Sequence, residues 1–86
     1  MSKVAKLPSR ESLQLAFGIA VRSLREKRKF TQEDLAEAAD LHFTYVSSVE
    51  RGKRNISLFN VHRLAHALGV SAGELMRDAD GHSNLR

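Results

Sequence analysis

Apolar residues recur at intervals of three and four along most of this chain, and polar capping residues and glycines divide them into short blocks. An α-helix has about 3.6 residues per turn, so each block places its apolar side chains along one face of a helix. No stretch shows the alternation of apolar and polar residues that is typical of a half-buried strand. The pattern therefore predicts an all-α fold.

Five helices are predicted from the residues that mark helix ends. A Ser or Thr side chain accepts hydrogen bonds from the free N–H groups of a first turn, and glycine adopts the left-handed conformation that follows a last turn. The predicted N-caps are Ser9, Thr31, Ser57 and Ser71, the last in a capping box with Glu74, and the predicted glycine ends are Gly52 and Gly69. The resulting helices cover residues 10 to about 29, 32–39, 43–50, 58–68 and a short final segment from 72.

The inward faces of these helices supply a candidate core. Its expected members are Leu13, Ala16, Phe17, Ala20, Val21, Leu24, Leu35, Ala36, Ala39, Val46, Val49, Leu58, Val61, Leu64, Ala65 and Leu68. Leu15 and Ile19 fall on the opposite side of the first helix. We expect them either to contact the N-terminal arm or a partner chain, or to be isolated apolar residues on the surface.

The chain of 86 residues is expected to form one compact five-helix bundle. Residues 1–8 lack periodicity and are predicted to be a flexible N-terminal arm, residues 9–77 the helical domain and residues 78–86 a disordered polar tail.

A homodimer is expected, because a small domain with a late apolar helix often completes its burial against a second copy. Val70, Leu75 and Met76 are the predicted interface residues. The alternative is that these three residues only close the core of the single chain.

Composition restricts the function without identifying it. The chain has 14 Lys and Arg residues against 10 Asp and Glu, and its net charge of +4 suits a polyanionic partner. The absence of cysteine excludes a disulfide, a thiolate nucleophile and cysteine-bound zinc, and is expected in a reducing cytoplasm. No apolar run is long enough for a signal peptide or a membrane span, so a cytoplasmic protein without a membrane partner is expected.

The second and third helices, with the turn between them, form a candidate reader of double-stranded DNA. Two short helices joined by residues 40–42 can hold the second of the pair outward, where it fits a major groove about 12 Å wide. The candidate base contacts near the start and outer face of the third helix are Thr44, Tyr45, Ser47 and Ser48. The candidate phosphate contacts on the flanking segments are Gln32, His42, Arg51, Lys53, Arg54, Asn55 and Asn60.

Several short motifs within this region resemble one known family. They are Phe17-Gly18, Val21-Arg22 and Leu24-Arg25, then Thr31-Gln32-Glu33 and Leu35-Ala36, then Tyr45-Val46-Ser47 and Val49-Glu50-Arg51-Gly52, then Ala65 and Leu68-Gly69-Val70. Together they resemble the phage-repressor and Cro-like (Xre) helix-turn-helix family. Within it, the chain is similar to the controller proteins of restriction-modification systems over roughly residues 17–75.

The resemblance implies a lambda-repressor-like domain that binds operator DNA as a homodimer and controls transcription. It implies that Phe43, Thr44 and Ser48 face base edges, and that Gln32 and the loop after the third helix contact phosphates.

The resemblance also implies an ion pair between Arg25 and Glu50. Burying both charges costs about as much free energy as their attraction returns, so the pair is expected to orient the third helix against the first rather than to add net stability.

The chain departs from the family pattern at three positions. Asp40 stands where Gly is usual, and Asp tolerates the left-handed conformation better than most residues. His42 stands where a Ser cap is common, with a weaker cap or a phosphate contact when protonated as the expected consequence. Phe43 replaces a polar base reader, and its ring favours a thymine methyl group or a stacked neighbour.

Two other functional hypotheses remain open at this point. The same helices could form a protein-interaction module, such as an antitoxin or an accessory factor with an unknown protein partner, which exposed Phe43, Phe59 and Ile19 would favour. A metal-dependent enzyme would rest on His62 and His66, but no intervening Glu and no third ligand accompany them. Neither enzyme activity nor a metal or other cofactor is therefore expected.

Overall fold

The computed structural model describes residues 3–83, which contain five α-helices and no β-strand. The helices are α1 (Arg10–Lys27), α2 (Gln32–Ala39), α3 (Phe43–Glu50), α4 (Leu58–Ala67) and α5 (Ala72–Gly81). The predicted five-helix all-α fold is confirmed. None of these helices is both long and apolar enough to cross a membrane.

Each helix begins at a side-chain cap, and the four predicted caps are all present. Ser9 and Ser57 each accept a hydrogen bond from the N–H group of the residue three positions later. Thr31 and Ser71 form reciprocal capping boxes with an acidic residue of the first turn. The helix starts are therefore determined by local contacts that the sequence displays.

Left-handed residues separate the helices. Gly52 and Gly69 both have φ of 74°, as predicted for the residues that end α3 and α4. Lys29 also adopts a positive φ, 59°, which an α-helix does not accommodate. As a result, α1 ends at Lys27 rather than near Lys29.

The core lies where α1 packs against α3 and α5, α2 against α3 and α4, and α4 against α5. Most predicted core residues are buried, and Leu35, Leu64 and Val46 are fully so. The assignment of Leu58 to the core is wrong, because this first residue of α4 is 76% exposed. Periodicity identifies the apolar face of a helix but not where along its axis the neighbouring helices end.

The last helix is longer than the sequence suggested. α5 continues to Gly81 and buries Ala79, so helical structure passes the predicted domain end at residue 77. The apolar periodicity does not predict this last turn, because Asp78 and Asp80 are polar. Residues 3–8 form no helix, and the remaining residues of the predicted arm and tail, 1–2 and 84–86, lie outside the described range.

Candidate nucleic-acid interface

The turn between α2 and α3 is built on the left-handed conformation of Asp40. This residue has φ of 55° and ψ of 47°, and its N–H group donates to carbonyl groups at the end of α2. Its own carbonyl accepts a 3.0 Å hydrogen bond from Nη1 of Arg63, which holds the turn against α4. Asp40 thus takes the place of the usual glycine in this turn, as expected from its tolerance of this conformation.

His42 is the N-cap of α3. Its Nδ1 accepts a 3.1 Å hydrogen bond from the N–H group of Thr44 and lies 2.8 Å from Oγ1 of the same residue. The imidazole thus supplies the acceptor that Ser would supply at this cap. An accepting Nδ1 places the proton of a neutral ring on Nε2, which leaves a donor on the exposed edge.

An ion pair between Arg25 and Glu50 joins α1 to the end of α3. Arg25 donates from Nε to Oε2 over 2.6 Å and from Nη2 to Oε1 over 3.0 Å, in a bidentate arrangement. The two side chains are only 12% and 3% exposed. The hydrogen bonds to Glu50 raise the pKa of Arg25 above its ordinary value, so the guanidinium remains charged.

Two further hydrogen bonds extend this pair to α2. Nη1 of Arg25 donates to the carbonyl oxygen of Phe30 over 2.8 Å, and Nε2 of Gln32 donates to Oε1 of Glu50 over 3.0 Å. Three helices therefore meet at one carboxylate. Gln32, a predicted phosphate contact, is half-buried and has one amide hydrogen committed to Glu50.

Gly18 allows α1 and α3 to approach closely. A Cβ at this position would lie 2.8 Å from the carbonyl oxygen of Glu50 and closer still to that of Val49. A second contact lies just beyond the end of α3, where Nε2 of Gln14 on α1 donates to the carbonyl oxygen of Gly52 over 3.1 Å. The end of α3 is therefore held by backbone contacts with α1 as well as by the ion pair.

Ser48 does not lie on the outer face of α3 as predicted. It is only 7% exposed, and its hydroxyl donates to the carbonyl oxygen of Tyr45 over 2.7 Å. The loop after α3 folds over it, with the N–H group of Lys53 bound to its carbonyl oxygen and Nε of Arg54 to its Oγ. The assignment of Ser48 as a base contact is wrong in this structure, because the hydroxyl anchors the loop.

Arg54, Tyr45 and Asn60 form a cluster that the sequence did not connect. The guanidinium carbon of Arg54 lies 5.2 Å from the centroid of the Tyr45 ring, and Nδ2 of Asn60 donates to the Tyr45 hydroxyl over 3.1 Å. Tyr45 is half-buried against the core, whereas Arg54 is exposed. The guanidinium of Arg54 is therefore held through its Nε by Ser48 and against the Tyr45 ring, although the residue as a whole is exposed.

Seven of the twelve predicted DNA contacts are exposed. The exposed members are His42, Phe43, Thr44, Arg51, Lys53, Arg54 and Asn55, and the half-buried ones are Gln32, Tyr45, Ser47 and Asn60. No acidic residue occurs between Glu50 and Glu74, so the loop after α3 is purely basic. The end of α3 and this loop can therefore attract a polyanion.

The structure does not bring the predicted dimer residues into one face. Leu75 is fully buried in the core of its own chain, so its assignment to an interface is wrong. Val70 is half-buried beside Leu24, whereas Met76 is 42% exposed and lines a separate cavity with Leu13. The adjacent positions 75 and 76 point in different directions because they lie about 100° apart around a helix.

Within residues 3–83, no three His, Cys, Asp or Glu side chains are grouped so as to hold a metal ion. His62 and His66 are exposed on α4.

These features define a helix-turn-helix protein, and comparison with known proteins agrees. The chain belongs to the helix-turn-helix family, because the family model described as Helix-turn-helix matches residues 21–75. It is similar to control protein C.BamHI of Bacillus amyloliquefaciens, with 46% identity over 66 residues that cover 76% of this chain and 82% of that protein. The resemblance seen in the sequence motifs is confirmed.

Two solved controller proteins share the fold. The restriction-modification controller protein C.AhdI from Aeromonas hydrophila superposes with a TM-score of 0.71 at 44% identity, covering 72% of this chain and 94% of that one. The controller protein C.Esp1396I, solved as a tetramer in complex with its natural 35 base-pair operator, gives a TM-score of 0.75 at 27% identity. That match covers 81% of this chain and 92% of the other.

Proposed function

We propose that this protein is a sequence-specific transcriptional regulator that acts in the cytoplasm as a homodimer on a two-fold-symmetric operator. The observation that carries the proposal is the exposed start and outer face of α3, which continues into the basic loop at Arg51, Lys53 and Arg54. The similarity to controller proteins, one of them solved on its operator, supports the same role.

In this proposal α3 enters the major groove, and its exposed residues Phe43 and Thr44 face the base edges, with Tyr45 and Ser47 beside them. The phosphate contacts come from both sides of the helix: Gln32, His42, Arg51, Lys53, Arg54, Asn55 and Asn60. Ser48 acts through Arg54, whose side chain it holds. Phosphate contacts would set the orientation and base contacts the sequence preference.

Two copies would place their α3 helices about one helical turn of DNA apart, roughly 34–36 Å, on a symmetric site. The family resemblance and the small size of the core support dimerisation. Occupancy of the operator would then follow protein concentration, because dilution dissociates the dimer.

The proposal is tested by selecting bound sequences from a random duplex library at two salt concentrations. We expect enrichment of a two-fold-symmetric site that persists at the higher salt concentration. Unselective binding that disappears with salt would mean that the basic charge alone accounts for binding, and would redirect attention to a protein partner.

The phosphate role of Arg54 is tested by the salt dependence of operator binding. Arg54→Ala is expected to weaken binding to all sequences and to lower the slope of log K against log salt concentration by about 1. Arg22→Ala is the matched control, because Arg22 pairs with Glu26 on the exposed surface of α1. If the salt slope of Arg54→Ala equals that of the wild type, the assignment of Arg54 as a phosphate contact is wrong.

Thr44→Ala, in contrast, is expected to change the preference among DNA sequences, because Thr44 is a proposed base contact.

A further inference from the structure

Phe43 differs from the other aromatic residues of the chain, four Phe and one Tyr in total. Phe17 is buried in the core. Arg28 lies 4.8 Å from the ring centroid of Phe30, Arg54 5.2 Å from that of Tyr45 and Arg63 4.6 Å from that of Phe59. Phe43 is 40% exposed, and no guanidinium of residues 3–83 stacks on it.

The hydroxyl groups of α3, in contrast, already have partners within the chain. Ser48 is bound to Arg54 and to a backbone carbonyl, and the Tyr45 hydroxyl accepts from Asn60. Two more exposed contacts complete the set, between Thr44 and His42 and between Ser47 and Arg51. Tyr45 and Ser47 only accept in these contacts, so their own O–H groups can still donate. Each hydroxyl of α3 nevertheless has a partner within the chain, whereas the ring of Phe43 is uncommitted.

Phe43 is also the first residue of α3, at the end of the helix that the proposed docking brings to the base edges. The thymine C5-methyl is the one apolar group on the major-groove edge of the base pairs. Against any other edge the ring would displace water from amino or carbonyl groups without replacing their hydrogen bonds, which costs free energy. A phenyl group here therefore favours thymine and disfavours the other bases.

We infer that Phe43 determines operator specificity by contacting the C5-methyl group of a thymine in each half-site. This inference rests on the proposed function, since it requires α3 to lie in the major groove. Polar readout of a base at this position is replaced by an apolar contact with one methyl group.

The test replaces thymines of the selected operator by deoxyuridine, which lacks only the methyl group. Each symmetric pair of thymines is replaced in turn, and the Kd of the full-length protein is measured. For one of these pairs, the replacement is expected to weaken wild-type binding by roughly three- to fivefold per half-site. Phe43→Ala should bind the thymine operator and the deoxyuridine operator with equal affinity. Phe43→Leu should keep most of the wild type's preference for the thymine operator.

Phe59→Ala is the matched control, because it removes another exposed ring, and it should respond to deoxyuridine as the wild type does. Circular dichroism of each variant confirms that it is folded. The inference is overturned if no thymine pair matters to the wild type, or if Phe43→Ala remains sensitive to the same pair. If Phe43→Ala weakens binding by the same factor on the thymine operator and on the deoxyuridine operator, the ring acts by stacking and not through the methyl group.

The two proposals fail in different ways. If the library selection yields no operator, the proposed function fails and the inference falls with it. If an operator is selected but its affinity does not depend on any thymine methyl group, the regulator stands and only the role of Phe43 is wrong.

Discussion

At the scale of single residues, Glu50 connects α3 to both preceding helices. Its carboxylate accepts hydrogen bonds from Arg25 on α1 and from Gln32 on α2, although only 3% of its side chain is exposed. Removing one member of a buried pair leaves the other charge without compensation, which costs more than the pair contributes in net stability. The pair therefore matters chiefly because it sets the orientation of α3.

Glu50→Ala is expected to lower the free energy of unfolding by about 3–5 kcal/mol, because it leaves the Arg25 guanidinium buried and unpaired. The measurement is urea denaturation followed by circular dichroism. Glu26→Ala is the control, since its pair with Arg22 is more than half exposed and contributes at most about 1 kcal/mol. Equal losses in the two variants would contradict the structural role assigned to Glu50.

His42 and Ser48 show how far residue-by-residue reasoning reaches. The sequence predicts His42 at the cap of α3, and the structure shows its imidazole as the acceptor there. The sequence predicts Ser48 on the outer face of α3, but the following loop covers it. Residue type predicts what a side chain can donate or accept, whereas its actual partner depends on which segment lies above it.

At the scale of the elements, the packing of α1 against the end of α3 sets the position of the candidate interface. Gly18 lies directly against backbone carbonyl groups at the end of α3, and backbone cannot move aside as the end of a flexible side chain can. The first helix therefore acts as the rigid support for the third.

Gly18→Ala is expected to destabilise the protein by about 1–3 kcal/mol through overpacking, although alanine favours a helix by up to about 1 kcal/mol over glycine. In a domain of this size each 1 kcal/mol shifts Tm by roughly 4–8 °C, so a thermal melt suffices.

Gly73→Ala is the matched control within α5, where the nearest atom to an added Cβ is 3.5 Å away on the flexible Arg77 side chain. It should leave Tm unchanged or raise it slightly. A rise in Tm for Gly18→Ala as well would show that α1 and α3 can separate without cost.

At the scale of the whole molecule, the surface leaves several apolar side chains uncovered. Leu58, Phe59, Leu15, Ile19 and Met76 are each at least 40% exposed. Met76 is the one exposed member of the predicted dimer interface, so the α5 side of the molecule is where we place the contact between two copies. That placement remains a proposal.

Met76→Glu is expected to raise the dimer dissociation constant at least tenfold, because a charge would be buried without a partner. Sedimentation equilibrium over a dilution series measures this constant. Ile19→Glu is the matched control, with 40% exposure on α1 against 42% for Met76. If Ile19→Glu dissociates the dimer and Met76→Glu does not, the interface lies on α1 instead.

The five helices, their caps and the family could all be predicted from the residue pattern, because capping and helical periodicity act over three or four residues. Which polar groups of α3 are engaged depends on the folded chain, since Ser48 and Tyr45 bind Arg54 and Asn60 beyond the end of the helix. The tertiary structure likewise separates buried Leu75 from exposed Met76. Hydrogen bonding and burial depend on distance in space, which the folding of the whole chain sets, and this is why local pattern could not predict them.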